Sequence, residues 1–132
     1  MRAIGRLNAL EGHAVLAASF EDADPGVRAA ALDQVLRVNA FSDSDALLAR
    51  LHDENAQVRS RAAQLVGQMR LTGAGDTLSS MLRADKSQAA RQAAAWALGR
   101  IGGGQQALRD ARAKEADPGV LDALDVALRM SP

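Results

Sequence analysis

Residues 53–69 read DENAQVRSRAAQLVGQM, and the same pattern returns as DKSQAARQAAAWALGRI at 85–101 and as DADPGVRAAALDQVLRV at 22–38. A looser copy, EADPGVLDALDVALRM, occupies 115–130. Arginine stands at 28, 59 and 91, with Leu121 in the same slot of the last copy, so the copies are spaced by 31, 32 and 30 residues. An acid precedes each of these positions by six residues: Asp22, Asp53, Asp85 and Glu115. Self-similarity at such a period marks an architecture in which each copy is one supersecondary unit, unable to bury its apolar face alone.

Small or aliphatic residues return three and seven places after each of these positions, as Ala31/Val35, Ala62/Val66, Ala94/Leu98 and Leu124/Leu128; Val38, Met69 and Ile101 extend the stripe. That spacing is one face of an α-helix. Asp24, Asn55, Ser87 and Asp117 stand just before the stripes, where a side-chain oxygen can accept from the free N–H groups of a first turn. Pro25 and Pro118 suit that turn, where a missing N–H costs nothing. Gly73-Ala74-Gly75 and Gly102-Gly103-Gly104 interrupt the pattern, and shorter apolar segments follow a break in each unit: DALLARL (45–51), DTLSSML (76–82) and QALRDARA (106–113). The pattern predicts long helices near 25–38, 56–70, 88–101 and 118–130, short ones near 43–51, 75–83 and 104–113, and a helix or two before residue 20. No segment alternates as a strand would.

Helix pairs of this length in tandem make an α-solenoid. The pattern acid, four residues, Val-Arg-x-x-Ala-Ala-x-x-Leu-Gly-x-Ile resembles HEAT repeats of the phycobilisome-lyase type, best in AARQAAAWALGRIG and VRSRAAQLVGQM. The resemblance covers roughly 21–130, and Ile4-Gly5-Arg6-Leu7 reads like half a unit before it. It implies an all-α, right-handed solenoid of about four pairs, forming one domain over 1–132 with units near 1–20 (partial), 21–51, 52–82, 83–113 and 114–132 (partial). It further implies that the long helices line the concave side.

The composition agrees with close-packed helices. Phe20, Phe41 and Trp96 are the only aromatics, and alanine supplies much of the apolar content. Lys+Arg and Asp+Glu balance at 16 each, which leaves no net attraction to nucleic acid or an anionic membrane. Only Lys86 and Lys114 are lysines; the remaining cations are arginines, suited to planar, bidentate pairing. With no cysteine there are no disulfides, thiolate nucleophiles or cysteine-held zinc, and no window approaches the length of a membrane span. The Ala-, Arg- and Asp-rich composition reads as bacterial, with the cytoplasm as the expected compartment.

The single tryptophan lies two residues from both Ala94 and Leu98, about 200° around the helix from the stripe at 100° per residue. Trp96 therefore points to the concave groove as an anchor for a partner, or else plugs the junction between repeats. The other groove candidates are Arg61, Gln64, Gln92, Arg100, Arg37 and Gln68, with Asp33 and Val126 in the slot of Trp96. Arg28, Arg59 and Arg91, set regularly against Asp22, Asp53 and Asp85, are predicted to form a structural ladder of charge-assisted hydrogen bonds, joining turn to helix and repeat to repeat.

Catalytic chemistry is absent from the pattern. His13 and His52 have no carboxylate partner at ligand spacing and read as surface residues; Ser42, Ser44, Ser60, Ser79, Ser80 and Ser87 have no identifiable base. No HExxH, phosphate-binding loop or GxGxxG occurs, so neither metal nor cofactor is implied. The expected function is a non-catalytic scaffold holding a protein or peptide on its concave face. The resemblance keeps open an accessory lyase or chaperone-like subunit, and a DNA-binding role as in HEAT-like DNA glycosylases, against which Asp33 and Asp122 stand. Ile4, Leu7 and Leu10 at one end and Leu128-Arg129-Met130 at the other leave the outer units without polar caps. The stack is therefore expected to continue into a larger parent chain or a second copy.

Overall fold

The computed structural model describes residues 18–35 and 44–130. Seven α-helices follow one another among them: α1 (Pro25–Gln34), α2 (Ser44–Ala49), α3 (Ala56–Met69), α4 (Gly75–Ala84), α5 (Gln88–Ile101), α6 (Gln105–Lys114) and α7 (Pro118–Met130). Short 3-10 turns, Arg50–His52 and Thr72–Ala74, follow α2 and precede α4. No strand occurs among the described residues. Residues 18 and 19 are helical; the rest of the predicted helices before residue 20, the half unit at Ile4–Leu7, and His13, Arg37 and Val38 lie outside the described residues.

The long helices start where the capping residues place them. Asp24 Oδ1 accepts from the Gly26 N–H at 2.8 Å, Asn55 Oδ1 from Gln57 and Val58, Ser87 Oγ from Ala90, and Asp117 Oδ2 from Val120. Each satisfies a donor that a first helical turn leaves free, typically worth about 1 kcal/mol. The helix ends depart from expectation in one place. Arg70, not the Gly73–Gly75 stretch, stops α3: it adopts φ 53°, with its own N–H on the Gly67 carbonyl and the Leu71 N–H on the Val66 carbonyl. That is a Schellman closure, and an arginine holds it where glycine is usual. After α5 the glycines do serve: Gly102 and Gly103 have φ of 86° and 79°.

The helices form a two-layer stack of pairs. Each long helix lies beside the next, α1 on α3, α3 on α5 and α5 on α7, while each short helix packs against the long helix of the following unit. Between the layers run Leu32, Leu47, Leu51, Val58, Val66, Leu78, Leu98, Leu108, Val120 and Leu124, all buried. Burial of one such side chain stabilises by roughly 1.5–3 kcal/mol. Between successive long helices the contacts are small residues. A Cβ added to Gly67 would lie 2.8 Å from the Ala97 Cα, and one on Gly99 would lie 2.8 Å from the Ala127 Cα. Each glycine meets an alanine of the next long helix, so the same close approach recurs at two successive junctions. This register sets what the exposed face of the long helices can present.

Candidate functional site

Two systems of polar side chains accompany the long helices, and they differ in their hydrogen bonding. The first is the ladder. Arg28 donates from Nε and Nη2 to the two oxygens of Asp53 at 2.8 and 2.9 Å, Arg59 does the same to Asp85 at 2.8 and 2.9 Å, and Arg91 to Glu115 at 3.0 and 3.2 Å. The remaining Nη1 of each turns back to a main-chain carbonyl of its own repeat, that of Asp22, Asp53 or Asp85. The expected pairing is thus corrected in register. Each arginine meets the carbonyl of the acid six residues before it, and takes the carboxylate of the acid one repeat later. The carboxylate of its own repeat is already engaged, accepting the N–H two residues on: Asp22 from Asp24, Asp53 from Asn55, Asp85 from Ser87.

Burial alone would raise the pKa of Asp53, Asp85 and Glu115. The arginine hydrogen bonds, followed by the N–H bond at the turn, outweigh it and hold all three below their ordinary values. Arg28 and Arg59 are pushed the other way, chiefly by their hydrogen bonds to Asp53 and Asp85. Each of these three arginines and three carboxylates has its partner, while Arg50, which donates to Asp53 from Nη1, keeps a buried Nε without one. A hollow of about 840 Å³ opens beside these pairs between α4 and α6, but its charged lining includes Asp85, Arg91 and Glu115, members of the ladder itself.

The second system is a groove of about 690 Å³ crossing α3, α5 and α7. Two rows of residues build it, each row one position repeated in three units: Ser60, Gln92 and Asp122, and one turn later Gln64, Trp96 and Val126. Gln68 extends it, and Ala89, Ala93, Gly119 and Ala123 complete the lining. Ser60 is buried and donates to the Ala56 carbonyl. Gln64, Gln68, Gln92 and Asp122 are exposed and form no hydrogen bond or ion pair with the described residues.

Trp96 is half-buried and combines features of both readings. Its ring lines the groove, yet its Cζ3 would lie 2.8 Å from a Cβ on Gly67, so its edge rests on the neighbouring helix. The angle around the helix placed the side chain on the groove side; the close approach at Gly67 and Ala97 brings α3 under the ring. Arg100 covers it, with its guanidinium carbon 5.3 Å from the ring centroid and Nε 3.4 Å from the Gly67 carbonyl.

The remaining candidates divide. Gln64, Gln68, Gln92 and Trp96 converge on the groove. Arg100 reaches it through the tryptophan. Arg61 lines an adjoining hollow of about 360 Å³ and is ion-paired with Asp33 on α1, so its charge joins two repeats. Arg37 lies outside the described residues. Ser60 was not placed in the groove by the sequence reading, and Asp122 entered that reading only as an acid set against DNA. The repeat alignment carried the signal for both, in the row one turn before Trp96. His52 is exposed at the end of its 3-10 turn. No cluster of three or more potential metal ligands occurs among the described residues, and no helix among them is long and apolar enough to cross a membrane.

Stacked helix pairs joined through an arginine ladder define an α-solenoid of tandem repeats. Residues 44–129 match the family model for HEAT repeats, and the chain belongs to that family. No curated protein matches the chain.

Proposed function

We propose that this chain is a non-catalytic protein-binding module whose working surface is the groove across α3, α5 and α7. HEAT repeats commonly mediate protein–protein interaction, which makes a protein partner the natural class. The observation that carries the reading is the contrast in hydrogen bonding. The arginines and carboxylates of the ladder satisfy one another, whereas the groove gathers three carboxamides, a carboxylate and the only tryptophan with those polar groups left to water. Tryptophan is among the residues that dominate binding hot spots. The groove supplies a single aromatic ring and a run of amides, which favours a polypeptide over the extended conjugated ring system that a lyase-type role would require. The setting we infer, a bacterial cytoplasm, rests on the cysteine-free, Ala-, Arg- and Asp-rich composition.

A photo-reactive amino acid installed at Val126, in the groove, should trap a partner when cells carrying it are irradiated. The same group at Arg109, exposed on α6, should not. Equal trapping at both positions, or trapping at Arg109 alone, would remove the groove from consideration.

A further inference from the structure

We infer that the groove takes an extended peptide carrying a lysine or arginine whose cation pairs with Asp122; this rests on the protein-binding reading above. Asp122 is the one charged side chain among the eleven residues that line the groove. Other carboxylates of the long helices are neutralised: Asp33 by Arg61 and Asp125, one turn along the same helix, by Arg112. The cation nearest the groove's ring, Arg100, is engaged with that ring and with the Gly67 carbonyl. A lone carboxylate in an otherwise neutral groove attracts a cation and repels phosphate or an acidic peptide.

The backbone of the ligand is fixed by the amides. Gln64, Gln68 and Gln92 each present a donor pair and an acceptor, the complement of a peptide N–H and C=O. A helical ligand has already used those groups internally; an extended one has not. A helical ligand would also require a broad apolar stripe facing its own. Here the walls between the amides are Ala89, Ala93 and Ala123, with only Trp96 and Val126 as large apolar side chains. Small walls let a main chain come close and leave the tryptophan to cover one side chain. Helices packed 8–10 Å apart set the length: three of them span roughly 20 Å. An extended chain rising 3.3 Å per residue crosses that distance in about six residues.

The test is selection of phage-displayed random heptapeptides on the whole protein, followed by titration of the best synthetic peptide using the fluorescence of Trp96. The wild type should enrich Lys or Arg at one fixed position, and Asp122→Arg should enrich Asp or Glu at that same position. Because the pair is exposed, Asp122→Asn should weaken the best wild-type peptide only about threefold. Gln64→Ala combined with Gln92→Ala should weaken it further. Peptides that need Gln64 and Gln92 but show no basic preference, or survive Asp122→Arg unchanged, overturn this inference and leave the groove reading standing. Selected peptides bearing an apolar stripe at helical spacing overturn the extended conformation. If no selected peptide responds to substitutions in the groove, both readings fall together.

Discussion

Asp53 lies in the turn that leads into α3, and Asp122 lies on the groove side of α7. Asp53 accepts four hydrogen bonds, from Arg28 Nε and Nη2, Arg50 Nη1 and the Asn55 N–H, and is almost wholly removed from water. Asp122 is exposed and accepts none from the described residues. The two side chains are chemically identical, so the difference belongs to position in the repeat. Before α3 a carboxylate closes a junction between units; on α7 it faces whatever enters the groove. An acid in a repeat protein gains its meaning from the register in which neighbouring units present cations to it.

The comparison predicts its own largest asymmetry. Asp53→Ala leaves the guanidinium of Arg28 without its partner in a buried junction, and a broken buried pair of this kind costs about 3 kcal/mol or more. Asp122→Ala should change stability by no more than about 0.5 kcal/mol, as for surface substitutions elsewhere. Urea denaturation of the two variants reads both values. A loss for Asp53→Ala no greater than that for Asp122→Ala would erase the distinction between the two positions.

The register itself depends on small residues, and Gly99→Ala probes it. The added methyl would meet the main chain of Ala127, which cannot turn aside as a side chain can, so α5 and α7 must separate. Overpacking of this sort costs about 1–3 kcal/mol. The equivalent change at Gly73, where an added Cβ meets nothing within 4 Å, should be far milder. Thermal unfolding of both variants gives the answer, and equal melting temperatures would show that the close approach is not holding the stack.

Acid gives the smallest effect near neutrality and grows below it. The folded-state pKa values of Asp53, Asp85 and Glu115 are depressed, so the unfolded chain takes up protons first as pH falls. The stability these groups contribute is therefore complete above their unfolded values of about 4 and is lost as pH drops through the lower folded values. Stability measured by urea midpoint should be flat between pH 7 and about 5 and should fall below 4. A midpoint that rises on acidification would contradict the assigned pairing.

Much of this was legible in the sequence because repeats multiply weak signals. A capping Asp, Asn or Ser is ambiguous once, but Asp24, Asn55, Ser87 and Asp117 at one position of four copies fix four helix starts. The ladder's existence was readable for the same reason, but its pairing was not. An acid six residues before each arginine and another 24 to 26 residues after it are equivalent in a periodic sequence, and only the packing distance between units chooses. The stop at Arg70 escaped because it uses a conformation in which arginine is rare, while two glycines nearby offered a more obvious break. The angle around the helix sets Trp96 off the core stripe, and its ring lines the groove, but its contact with Gly67 depends on how near α3 comes. Gly67 and Gly99, thirty-two residues apart, were the sequence's trace of that approach.

The central claim is that each arginine closes onto the following unit, leaving the groove's polar groups for a partner. Two double-mutant cycles sharing Arg59 test it directly, one with Asp85 and one with Asp53, each built from alanine substitutions and read by urea denaturation. Arg59 holds the Asp85 carboxylate through two hydrogen bonds but touches only the main-chain carbonyl of Asp53, which survives truncation. The account predicts a coupling of about 1–2 kcal/mol for Arg59 with Asp85 and less than about 0.5 kcal/mol for Arg59 with Asp53. Equal couplings, or a larger one with Asp53, would contradict it.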